Sequence, residues 1–160
     1  MPRVLRRTLG DGLFHVTTVA VDQTPAFFDD VDRVAFLRLF AECIHAYNWT
    51  PYAYCLMTTH YHLVLAARQE ELSAGMQRLN GVHAQRANRR RGRRGHLFGA
   101  RFSSWVVATE EHARAACRYV LLNPVRAGLC ERAEDWRVGA VAATASPRKN
   151  RTLVRLADHG

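Results

Sequence analysis

Lysine is almost missing from this chain: Lys149 is the only one among its 23 basic residues. Cysteine is scarce too. Cys43, Cys55, Cys117 and Cys130 form no CxxC pair, which argues against a structural zinc site and a disulfide framework and fits reduced thiols. No apolar run reaches membrane-spanning length, and no charged-then-apolar leader with a cleavage site opens the chain. Together these absences point to a soluble, cytoplasmic protein with no membrane partner. Acidic residues are also too few to balance the basic ones, and the net charge is +9.

That excess is nearly all arginine, whose planar fork matches phosphate oxygens and stacks on bases. Genomic composition pressure explains a preference for arginine over lysine. It does not explain the surplus of positive charge, so a polyanion is the expected partner and nucleic acid the default candidate.

The 160 residues make one domain, and 48% of them are hydrophobic, enough for a proper core. "LFHVTTVAV" (13–21) is β-branched and predicts a first strand. Val34, Leu37, Phe40, Ala41 and Ile44 recur at helical steps, with Asp29 or Asp30 placed to cap the start. "YAYCLMTT" (52–59) and "YHLVLAA" (61–67) predict two more strands. A second helix starts near Glu70 or Glu71 and runs through Leu72, Met76, Leu79 and Val82 or His83 to the arginines, weakened by Gly75 and Gly81. "FSSWVVAT" (102–109) predicts a fourth strand, and "EEHARAACRYVLL" (110–122) a third helix closed by Pro124. The order β-α-β-β-α-β plus a helix is an α+β, ferredoxin-like arrangement: an antiparallel sheet with helices on one face and an added C-terminal helix. The folded domain takes residues 1–140. A basic, mobile tail takes 141–160.

In "MTTHYHLVLAA" (57–67), His60 and His62 stand two residues apart and share one face of a strand, with Tyr61 opposite. Neutral imidazoles at that spacing chelate a divalent ion and leave coordination positions open for chemistry. Hydrogen-bonded packing histidines fit the short motif equally well. Tyr119 and Asn123 are four apart and share one helical face. The carboxamide of Asn123 suits a third ligand, and Tyr119 suits a nucleophile if a base or cation favours its phenolate. Each also has an ordinary use, in packing and at a helix end. "QRANRRRGRRGH" (85–96) carries Arg86, Arg89, Arg90, Arg91, Arg93 and Arg94. With Arg101 these are the candidate phosphate contacts. Phe98, Phe102 and Trp105 are either base-stacking or core aromatics. His83, His96 and His112 have no recruiting spacing and are read as surface or phosphate-contact residues.

"FHVTT", "FFDDVDRVAFLRLF", "YAYCLMTTHYHLVL", "LSAGMQRLNGVHAQRANRRRGRRGHLFGARF" and "RYVLLNPVRAGL", in that order over roughly residues 13–130, resemble the REP-associated tyrosine transposases of the HUH endonuclease superfamily. The resemblance implies that His60 and His62 are the metal pair, Asn123 a third ligand and Tyr119 the nucleophile. It implies Mg or Mn ions, and single-stranded or hairpin DNA beside palindromic repeats as substrate. The implied chemistry is cleavage and strand transfer through a 5′-phosphotyrosine, by a monomer or homodimer associated with the nucleoid. The chain departs from the pattern at Thr58-Thr59, where a Pro-Asn pair is usual, and at Val19, Ala20 and Val21, where a polar segment is usual. It departs again after Trp136, where "RVGAVAATAS" stands. A competing reading keeps the same fold as a non-catalytic module that binds structured DNA or RNA.

Overall fold

Alternating inward and outward residues make "GLFHVTTV" the first strand, β1 (Gly12–Val19), with burial alternating along it. The computed structural model describes residues 12–136 and 139–141. Helix α1 (Asp30–Ala46) follows. Asp29 caps it by accepting from the Asp32 backbone N–H at 3.0 Å, and Asp32 reaches back to the Phe28 N–H at 2.9 Å. Two orphan donors at the helix start are thereby satisfied.

Strands β2 (Thr50–Leu56) and β3 (His60–Ala67) form a hairpin across Thr58-Thr59. Helix α2 (Gln69–Arg91) then runs unbroken for 23 residues through both glycines. Gly75 is there for contact: a Cβ at this position would lie 2.2 Å from Trp49 Cζ2. Gly92, at φ 61°, stops the helix in a left-handed cap that only glycine adopts without strain. β4 (Ser103–Val106) and helix α3 (Glu110–Arg126) follow, and a short β5 (Gly139–Val141) closes the sheet. β5 lies across residue 140, and residues 142–160 of the expected tail lie outside the described residues.

The strand order is β4-β1-β3-β2-β5, and every pairing is antiparallel. The first four strands are the expected ferredoxin-like set, and β5 is an addition on the β2 edge. The helices divide between the two faces. Phe36, Leu37 and Phe40 of α1 and Leu72, Met76 and Leu79 of α2 pack on Phe14, Val16, Tyr54, Tyr61, Leu63 and Leu65. On the opposite face, Ala116 and Val120 of α3 pack on Ala53, Cys55 and Val64.

Some boundaries differ from the sequence expectation. β1 ends at Val19, because Ala20 bridges to Phe98 and a 3-10 turn at Val21–Gln23 diverts the chain. α3 passes through Pro124 to Arg126. A proline removes one N–H and one bond from the ladder, and so close to the C-terminus the last carbonyls find later donors: Ala127 N–H to Asn123 O and Leu129 N–H to Pro124 O. Arg86, Arg89, Arg90 and Arg91 occupy the last turns of α2, which ends at the arginines as expected, and there cations complement the helix dipole.

Candidate active site

The register of the sheet builds the site. Thr17 lies opposite His62, and His15, two residues before it, lies opposite Trp105. His15, Thr17, His62 and Trp105 therefore share the α3 face, while Tyr61 points the other way. Tyr61 is fully buried there, its hydroxyl linked to Thr18 and Asn80.

His62 is the fixed centre. Its Nδ1 is 2.9 Å from Thr17 Oγ1 and 3.1 Å from His15 Nε2, and its Nε2 is 2.8 Å from the Asn123 amide nitrogen. With that amide donating, Nε2 accepts and Nδ1 carries the ring proton. Burial, then the neighbouring His60, His15 and Arg126, lower the His62 pKa to about 3. His60 is held more lightly, its Nδ1 3.2 Å from the hydroxyl of its own neighbour Thr59. The two rings stand 5.1 Å apart and nearly perpendicular. Burial lowers the pKa of His60 as well, and burial followed by His112 lowers that of His15. All three imidazoles are thus held in the neutral form that binds metals.

α3 brings the other half. Asn123 meets His62 directly, and the Tyr119 ring lies 6.0 Å from His62 and 5.8 Å from His15. Tyr119 is 47% exposed. Across the face of its ring, 4.1 Å away, lies the Arg126 guanidinium, which also donates to the Tyr119 carbonyl. Sequence reading missed Arg126 because it ended the helix at Pro124. The seven-residue step from Tyr119 to Arg126, two turns on one helical face, was the available signal. It missed His15 because a lone histidine in a strand gains meaning only from register.

The donor set suits a divalent ion. His60 and His62 are neutral and adjacent, the Nδ1 of each is occupied by a hydroxyl partner, and a carboxamide faces the Nε2 of His62. Outer partners of this kind orient metal-ligating histidines. Among the described residues no three His, Cys, Asp or Glu side chains gather as a metal site, so the set is two imidazoles and an amide.

The arginines divide into two groups. Arg90 and Arg91 are engaged within the protein: both pair with Asp29, and Arg90 also pairs with the buried Asp32. Arg93 bonds to Asn88 Oδ1 and, like Arg91, lies over the Phe28 ring. Arg86, Arg89, Arg94 and Arg101 are exposed and outside these ion pairs. Arg101 lines a groove of about 1020 Å³ between α2 and residues 95–102, apart from His15, His60 and His62. Phe98 and Phe102 pack against the core, while Trp105 is 54% exposed. His83 is a correction: it is buried, with Nε2 2.7 Å from the Ala26 carbonyl oxygen, so it contacts no phosphate. His96 and His112 are exposed.

No curated protein matches the chain by sequence. Among solved structures, it resembles a REP-associated tyrosine transposase bound to a REP hairpin, with a TM-score of 0.66 and 12% identity over 78% of this chain and 73% of that one. A protein of Deinococcus radiodurans R1 assigned as a transposase gives a TM-score of 0.50 and 17% identity, over 71% of this chain and 90% of that one. These likenesses establish the fold. The pattern of the IS200-like transposases matches residues 10–122, a span holding His60, His62 and Tyr119. The chain belongs to the IS200-like transposase family.

Proposed function

We propose that this transposase is a metal-dependent single-stranded DNA endonuclease and strand transferase of the REP-associated tyrosine type, acting beside hairpins or palindromic repeats. One observation carries the reading: α3 brings Tyr119 and Asn123 to the two-histidine face, with Asn123 on His62 and Tyr119 beside it. The resemblance to a hairpin-bound transposase supports the choice of DNA.

In the proposed reaction, Tyr119 Oη attacks the scissile phosphorus. The P–O3′ bond breaks, a 5′-phosphotyrosine forms, and the departing O3′ leaves as a hydroxyl once protonated. The phenol's proton goes to solvent. Attack by a 3′-hydroxyl reverses the exchange and joins strands. His60, His62 and Asn123 would hold Mg or Mn, which when bound polarises the phosphate and spreads its developing charge. Arg126 holds the phenol ring in place and supplies positive charge beside the reacting phosphate. Arg86, Arg89, Arg94 and Arg101 grip the backbone, with phosphate contacts fixing position rather than sequence.

The binding-module reading has no observation of its own. It leaves the gathering of His60, His62, Tyr119 and Asn123 without a use, and helices cover one face of the sheet and the β2–β3 part of the other. The test is a denaturing gel after incubation of the protein with a labelled hairpin-bearing single strand, drawn from the host's own repeats, and Mn²⁺. A slow-migrating adduct is expected. It should vanish with a chelator and in Tyr119→Phe, and its absence from the wild-type chain across those repeats overturns the proposal.

A further inference from the structure

Exposed large apolar side chains are few among the described residues. Only two of them are aromatic, Trp105 and Tyr119, and they flank the same imidazole. Trp105 sits on β4, the edge strand, and its ring centroid is 5.5 Å from that of His15. His15 in turn lies 5.8 Å from Tyr119, and Tyr119 carries Arg126 on its face. Indole, imidazole, phenol and guanidinium thus form one row along the open side of the site.

Packing does not account for the indole. The other two tryptophans have a structural use: Trp49 is buried and donates to the Glu71 carbonyl oxygen, and Trp136 donates to the Leu56 carbonyl oxygen. Trp105 has no such hydrogen bond and lies half open beside small, exposed Ser103 and Ser104. A half-open indole costs apolar exposure that an edge strand does not need. Here it borders the nucleophile of a strongly basic protein.

We propose that Trp105 is the stacking platform for an unpaired base next to the scissile phosphate. The inference rests on the reading of Tyr119 as the nucleophile of a single-strand nuclease and adds how the strand is aligned. A base laid on the indole leaves its sugar and phosphate one imidazole's width from the phenol, with Arg126 beyond. Every base offers a π face, so the platform tolerates sequence. Bases inside a duplex already stack on both neighbours and cannot reach it without being extruded, so the platform selects single strands.

The test uses the full chain carrying Tyr119→Phe, so that no strand is cut, and measures affinity by fluorescence anisotropy. The probes are a labelled oligothymidine and a blunt duplex of equal length. Trp105→Ala should weaken oligothymidine binding about 5- to 100-fold and leave the duplex unchanged, while Trp105→Phe keeps most of the affinity. Oligothymidine should also quench indole emission in the parent chain and far less in Trp105→Phe. Unchanged oligothymidine affinity in Trp105→Ala overturns the proposal, as does equal weakening on both probes. A fall from dimer to monomer in Trp105→Ala by sedimentation overturns it too, because the indole would then cover a second copy. Failure of the nuclease reading shows separately, as no adduct from the wild-type chain, and leaves these binding outcomes readable.

Discussion

The two faces of the sheet are built from the same strands and made for different work. Toward α1 and α2, β1 and β3 send Phe14, Val16, Tyr61, Leu63 and Leu65, all fully buried. Toward α3 the same strands send His15, Thr17, His60 and His62, with Val64 and the partly buried Leu13 as the large apolar contributions to that packing. One face carries the burial that holds the chain folded, each large side chain contributing about 1.5–3 kcal/mol. The other accepts polar groups at modest cost because they bond one another in the order Thr17–His62–Asn123. A single period-2 strand therefore separates the packed face from the polar one residue by residue.

That separation can be tested from either side. The largest effect is expected at His62→Ala. Cleavage should fall by more than the roughly 10- to 100-fold that loss of an outer partner costs a metal site. DNA affinity and melting temperature should stay near wild type, as read by anisotropy and circular dichroism. A collapse of folding instead would mean that the histidine face is structural.

The converse change is Gly75→Ala, on α2 behind the sheet. The added methyl meets the Trp49 ring, and a loss of about 1–3 kcal/mol is expected from overpacking, measured by urea denaturation. The adduct yield of the folded fraction should not change. A drop in yield would show that strain on the packed face reaches the site.

The smallest effect is a pH dependence shared by both faces. The His62 pKa falls from 6.5 unfolded to about 3 folded, and that of buried His83 is lowered chiefly by desolvation. Both histidines therefore bind protons more readily in the unfolded chain. Stability should be complete above about pH 6.5 and fall as pH drops below it, the His62 share declining down to about pH 3. Melting temperatures taken between about pH 7.5 and 4.5 should show this, before most carboxylates titrate. In His62→Gln the slope should shrink and persist, the remainder coming from His15, His60 and His83. Complete loss of the slope would place the whole effect on His62.

The sequence made the strand and helix order legible, since each element carries its own period. It also made the histidine pair and the Tyr119/Asn123 pair legible, because both partners of each pair lie on one element. What crosses elements was hidden. His15 gained its place from the register of β1 on β3, which no local pattern states. His83 looked like a surface residue, because the Ala26 carbonyl that satisfies it is far away in sequence. Arg90 and Arg91 looked like phosphate contacts until α2 brought them to Asp29. Pro124 misled for a different reason: the rule that proline ends helices weakens in the final turn, where few ladder bonds remain to lose.

Thr58-Thr59, the departure just before the histidine pair, does two things in the fold. The carbonyls of Thr58 and Thr59 accept from Ala26 and Ala20, and the Thr59 hydroxyl meets His60. His62 is bolted to β1 and α3 at once, whereas His60 leans only on its own neighbour. The centre thus resembles a vice with one jaw cast into the frame and one on a slide. Resetting the cast jaw takes coordinated change on two other elements. Resetting the sliding one takes a single residue at position 59, which makes that position the cheapest place in the chain to retune the grip.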